Sequence, residues 1–160
     1  MADKPRSTLN HHEFFMSICL GLAEMAKVRG DYPVGSVIVK DGQVIGKGIE
    51  GGKTKKDITC HAETEAIRDA VKHLETQDLS LCTLYTTHEP CILCSYVIRH
   101  SRIHTVVIGI SGGDTGGISS NYPLLEDQTI EKWGKPPVLV KGILEKECEN
   151  ITKYYNPPPA

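Results

Sequence analysis

Thr83-Leu84-Tyr85-Thr86-Thr87-His88-Glu89-Pro90-Cys91-Ile92-Leu93-Cys94 is a β-rich run that meets a proline and then two cysteines three residues apart. Leu81 to Thr86 has the composition of a strand. Pro90 suits a helix start, and the helix is predicted to run to about His100. Cys91 and Cys94 then share one face of its first turn. Upstream, His61-Ala62-Glu63 stands at the start of a second predicted helix, about Cys60 to Leu74. Ala62, Ala66, Ile67, Ala70, Val71 and Leu74 form the apolar stripe of that helix. Each motif therefore sits at a helix N-terminus just past extended chain. That is where an open sheet with crossover helices places its ligand crevice.

Three of these side chains are metal ligands by type: the imidazole of His61 and the thiols of Cys91 and Cys94. Three protein ligands with an open fourth position describe a catalytic zinc site, with one Zn2+ per chain. Zinc at such a site acidifies water to a pKa of roughly 7. Glu63 need not bind the metal and stands where a carboxylate could carry a proton. The competing reading is a structural zinc site, which needs a fourth protein ligand. Cys60 is the only nearby candidate, and adjacent residues such as Cys60 and His61 seldom ligate one ion together.

The rest of the chain supplies layers around these helices. Asn10 to Arg29 carries apolar residues at helical spacing (Phe14 or Phe15, Ile18, Leu22, Met25 or Ala26), ended by Gly30. Val34 to Val39 and Val44 to Ile49 read as strands joined by an Asp41-Gly42 turn. Gly51 to Asp57 is a polar Gly/Lys loop, either solvated or phosphate-binding, with no P-loop pattern. Ile103 to Ile110 is an apolar strand, Gly112 to Asn121 a Gly-rich loop, and Pro123 to Trp133 a short helix. A strand at Val138 to Lys141 and a helix from Leu144 to Tyr155 complete the order. Strands alternating with helices argue for one sheet covered on both faces, an α/β domain over residues 1–160. Residues 1–9 are expected to form a flexible arm and 156–160 a Pro-rich tail.

Composition narrows the class. The chain has 160 residues, 39% hydrophobic and 24% charged, which is ordinary for one globular domain. A net charge of −2 argues against nucleic acid as a partner without excluding it. The six cysteines follow no signal-peptide wording and read as reduced thiols of a cytoplasmic protein. No apolar run approaches a membrane span.

H-x-E followed by P-C-x-x-C is the signature of zinc deaminases. With Pro33-Val34-Gly35, Ala66-Ile67-Arg68, Thr83 to Thr87 and His100-Ser101-Arg102-Ile103, the chain resembles the cytidine-deaminase-like superfamily over about residues 12–150. It is most similar to the branch of tRNA adenosine deaminases, guanine deaminases and yeast-type cytosine deaminase. The resemblance implies a three-layer αβα cytidine-deaminase-like fold with a five-stranded mixed sheet, and a homodimer. It implies His61, Cys91 and Cys94 as zinc ligands, Glu63 as proton shuttle, and backbone N–H groups of Ala62 and Cys91 facing the substrate.

The chain departs from that branch at Glu50, where an Asn normally contacts the base. An ionised Glu accepts hydrogen bonds and cannot donate, so it favours a substrate edge rich in N–H donors, unless it points to solvent. Asp114 aligns with an Asp that guanine deaminases use near the leaving amine, or is simply turn chemistry. His88 either touches substrate or caps the strand end. Trp133, Tyr154 and Tyr155 either lid the pocket or pack elsewhere. The expectation is a hydrolytic deaminase of a small heterocyclic amine of the guanine or cytosine class. The alternatives are a tRNA-specific adenosine deaminase and a non-catalytic zinc-binding module.

Overall fold

In the computed structural model, which describes residues 6–157, five strands and four helices follow in the order α1(Arg6–Val28), β1(Gly35–Lys40), β2(Gln43–Ile49), α2(Ala62–Leu74), β3(Thr83–His88), α3(Ile92–His100), β4(Thr105–Ile110), β5(Val138–Lys141) and α4(Glu145–Lys153). The sheet order is β2-β1-β3-β4-β5. β1 is antiparallel to both β2 and β3, whereas β4 is parallel to β3 and β5. This is the mixed five-stranded sheet expected.

Side-chain alternation divides the sheet into two buried faces. Val37, Val39, Tyr85 and Val107 pack with Phe15, Met16, Cys19 and Cys148 of α1 and α4. Ile38, Leu84, Val106 and Ile108 pack with Ala66, Ile67, Ala70 and Ile98 of α2 and α3. The αβα layering follows from that period of two. In α1 the ambiguous pairs resolve to Phe15 and Ala26, with Phe14 and Met25 left exposed.

Close approach of α2 to β2 depends on Gly46 and Gly48. A Cβ at Gly48 would lie 1.8 Å from the Ala62 carbonyl oxygen, and one at Gly46 would lie 2.4 Å from that of Ala66. The start of α2 is thereby held against the end of β2, beside Glu50.

Three expectations change. The arm at 1–9 does not hold as drawn: residues 1–5 lie outside the described residues, and residues 6–9 belong to α1. Of the tail, 158–160 lie outside them as well. The helix expected at Pro123 to Trp133 is instead a run of turns ending in a 3-10 turn at Glu131–Trp133. The cause is Arg99, buried at 2% exposure. Its guanidinium donates to the carbonyls of Leu124 and Asp127, both at 2.7 Å, and of Gly134 at 3.3 Å. Those carbonyls turn inward to the cation and are lost to a helical ladder. Finally, α3 starts two residues after Pro90, because Cys91 is extended (φ −70°, ψ 177°) and bridges to Gly116.

Candidate active site

His61 and Cys91 are the residues immediately before α2 and α3, and each has extended backbone. Both side chains therefore project from helix N-termini, where the first N–H groups lack intrahelical partners. Cys94 lies one turn into α3 and is fully buried. His61 Nδ1 is 3.3 Å from Cys91 Sγ and 3.4 Å from Cys94 Sγ. All three ligand atoms fall within 4.8 Å of one another. A tetrahedral zinc with bonds of about 2.05 Å to nitrogen and 2.3 Å to sulfur separates such atoms by about 3.6 Å. The one-nitrogen, two-sulfur set fits zinc in donor type and spacing.

Protons are shared within the ligand set: the hydrogen bond to Cys91 and burial raise the pKa of the Cys94 thiol. The Cys94 thiol beside it and the imidazole of His61 lower the pKa of Cys91 against the cost of its burial. The hydrogen bond to Cys91 in turn raises that of His61. The Thr64 hydroxyl lies 3.3 Å from Cys94 Sγ and supports it from α2.

Glu63, in the first turn of α2, is 4% exposed. Its Oε1 accepts from the Thr86 hydroxyl at 2.8 Å, and its Oε2 lies 3.5 Å from Cys94 Sγ. Burial raises its pKa, opposed by its own backbone N–H and the Thr86 hydroxyl. A buried carboxyl held by one oxygen, with the other beside Cys94 at the ligand cluster, suits proton transfer.

These groups open onto a pocket of ≈ 210 Å³, whose walls include Glu50, His61, Glu63, His88, Glu89 and Cys91. Glu50 Oε1 accepts from the Gly52 N–H at 3.0 Å. Its Oε2 has no hydrogen-bond partner among the described residues. Burial raises its pKa, against the Gly52 hydrogen bond. His88 Nδ1 is 3.2 Å from the Glu89 carbonyl oxygen. Ala62, the first residue of α2, is fully buried and is not among the residues lining the pocket. Asp114 is not brought to this pocket. It is exposed in a 3-10 turn at Gly113–Thr115 and is not among the lining residues. Trp133 packs edge-on to Tyr96 and under the Arg99 guanidinium, away from the site.

Two site residues escaped the sequence reading. Tyr32 forms a pocket wall, its ring edge-on to His88 at 5.8 Å and to Tyr155 at 5.3 Å. The Tyr155 hydroxyl donates to the Gly30 carbonyl at 2.9 Å and accepts from Lys53 Nζ at 2.9 Å. The segment just after α4 thus backs the pocket wall without entering it. The signal for Tyr32 was its place just before Pro33-Val34-Gly35. Glu89, beside Pro90, accepts from the N–H groups of Gly112, Ile118 and Ser119 and from the Ser119 hydroxyl. Burial alone would raise its pKa, but these donors outweigh it and hold the carboxyl below its usual range. Glu89 fastens the Gly-rich loop to the rim of the site.

The model of the cytidine and deoxycytidylate deaminase zinc-binding region matches residues 9–110, a span that contains every ligand just described. The chain belongs to this family. As a zinc-binding deaminase it is a hydrolase of C–N bonds, and zinc is its metal. It is 36% identical over 146 residues to the tRNA-specific adenosine deaminase of Aquifex aeolicus, covering 89% of this chain and 93% of that relative. Among solved structures it resembles one from a study of A-to-I editing by tRNA:A34 deaminases at the wobble position, with a TM-score of 0.80 and 30% identity over 86% of this chain and 98% of the other. The guanine deaminase of Bacillus subtilis is 39% identical over 62% of this chain and 64% of its own, with a TM-score of 0.60.

Proposed function

We propose that this deaminase hydrolyses adenosine to inosine in a tRNA anticodon loop, releasing ammonia. The observation that carries the reading is the near full-length correspondence with tRNA-specific adenosine deaminases, at 36% identity and a TM-score of 0.80. It reverses the preference for a free base of the guanine or cytosine class, and with it the argument from acidic net charge against nucleic acid. A pocket of ≈ 210 Å³ has room for one base, so an RNA substrate would present its target extruded from the loop.

His61, Cys91 and Cys94 would hold the zinc, which when bound would lower the pKa of a water in the open position to about 7. Glu63 takes the proton of that water as oxygen bonds to C6. It passes that proton to N1 and then carries the second proton, from the new C6 hydroxyl, to the amino group, so that the C6–N bond breaks and ammonia leaves as C6=O forms. Thr86 holds Oε1 and leaves Oε2 as the proton-carrying oxygen. Tyr32 and His88 flank the ring. On this reading residues 1–160 form one deaminase domain of a cytoplasmic homodimer.

A second reading is favoured by one residue. Glu50 places a carboxylate oxygen free of protein donors in the pocket, which suits an amine-rich free base such as guanine or cytosine. Asp114 belongs to this reading only if the Gly-rich loop closes on substrate. Ammonia release separates the two. The first expects turnover of an anticodon stem-loop carrying adenosine at the wobble position, with none from guanine or cytosine. The opposite pattern would overturn it in favour of the second.

A further inference from the structure

Beside the active-site mouth lies a groove of ≈ 460 Å³ between β2 and the outer face of α2. Five cations line it: Arg29, Lys47, Lys55, Arg68 and Lys72. The opposing carboxylates are Glu65 and Asp69. The lining residues therefore sum to +3 on a chain of net charge −2, although Arg29 is also paired with the buried Asp31 at 3.9 Å. Charge is concentrated here against the trend of the molecule, and it is the local field that governs capture of a polyanion.

The two carboxylates are already engaged. Glu65 holds Lys55 at 2.8 Å through Oε2 and Arg68 through Oε1. Asp69 Oδ2 accepts from the backbone N–H of Lys47 at 2.9 Å rather than from an ammonium. Lys47 and Lys72 are exposed and have no carboxylate partner among the described residues. A structural ion-pair network would have matched them.

The groove and the pocket share no lining residue but are built from the same elements. Ile49 lines the groove and the next residue, Glu50, lines the pocket. Arg29 Nη2 donates to the Glu50 carbonyl oxygen at 3.0 Å. On the other wall, α2 runs from Glu63 in the site to Lys72, a distance of about 14 Å at 1.5 Å per residue. A strand whose base occupies the pocket can lay its neighbouring phosphates along these cations.

We propose that this groove binds the phosphate backbone of the RNA flanking the target adenosine, with Lys47 and Lys72 as its free contacts. The proposal rests on the RNA reading of the substrate, and binding is measured apart from turnover so that the two can fail separately. A fluorescein-labelled anticodon stem-loop is titrated with the zinc-loaded protein across a salt series and followed by anisotropy. The variant Lys47→Glu/Lys72→Glu is compared with wild type and with Lys132→Glu/Lys135→Glu, an equal charge change on exposed residues outside the groove.

The groove variant is expected to bind at least tenfold more weakly at moderate salt. Its log affinity against log salt should be shallower by about 1 per lost phosphate contact, with the control close to wild type. Equal binding by the groove variant overturns the proposal. So does equal weakening in the control, which would make it a net-charge effect, and so does failure of the wild type to bind. Inosine formation, followed on the same RNA, tests the substrate reading on its own. Loss of turnover with groove-dependent binding intact would overturn the substrate reading and leave the groove standing.

Discussion

At the residue scale the site is a set of short contacts whose removal has separable effects. Glu63 is held by Thr86 and does not need to touch the metal. Glu63→Ala is therefore expected to keep about one zinc per chain and to lose turnover by about 10²–10⁴-fold, the usual weight of general acid–base catalysis. Metal analysis beside ammonia release checks both halves, and near-normal turnover would remove Glu63 from the mechanism. Glu89 is different in kind. Its carboxylate collects four donors from the Gly-rich loop. Glu89→Gln turns an NH₂ group toward some of those donors. The expected cost is about 2–3 kcal/mol, typical of hydrogen bonds to a charged group, read from urea unfolding of the zinc-loaded protein. Glu50→Asn should alter substrate preference and leave zinc content unchanged; an identical substrate profile would place Glu50 outside recognition.

At the element scale, the position of α2 against β2 decides whether the two motifs meet. Any side chain at Gly48 collides with the carbonyl of Ala62 at the first turn of α2. Gly48→Ala is expected to lose at least 1–3 kcal/mol, the range for overpacking, and to weaken zinc binding because His61 leads that turn. Gly21→Ala is the matched control. Nothing lies within 4 Å of a Cβ there, in the middle of α1. Replacing a helical glycine in open space should raise stability by about 0.5–1 kcal/mol. Thermal unfolding of the pair gives opposite signs if packing, and not glycine content, is what matters. Most of these elements were legible from periodicity, because one-sided burial imposes a period of 3.6 or 2 on the residues themselves. The segment 123–133 was not. Leu124, Leu125 and Trp133 have spacing compatible with a helix, but the buried cation of Arg99, distant in sequence, claims the carbonyls a helix would use.

At the scale of the whole molecule, zinc ties together two helices from different parts of the chain. Chelation is expected to abolish activity and lower the melting temperature together, with both restored by added zinc. Loss of activity with an unchanged melting temperature would mean that α2 and α3 are held without the metal. The homodimer is tested by light scattering of the zinc-loaded protein, with an expected mass of about 35 kDa, twice the chain mass of 17.6 kDa. Leu93 and Tyr96 on α3, exposed at 38% and 46%, are apolar surface such an interface would cover.

The donor types of the metal centre were legible in the sequence, while the packing of α2 and α3 on the sheet decided that the two motifs meet. His61, Glu63, Cys91 and Cys94 sit at helix starts, where spacing along the chain sets which side chains share a face. The layering was equally local in origin, since alternation within each strand sorts its residues to the two faces. Only the tertiary structure decided what surrounds that centre. It put Glu50 and Tyr32 in the pocket wall, left Asp114 exposed, gave Glu89 to the loop, and gathered five cations from four segments into one groove. Such groups meet through contacts between remote elements, and no period or spacing in the chain encodes those distances.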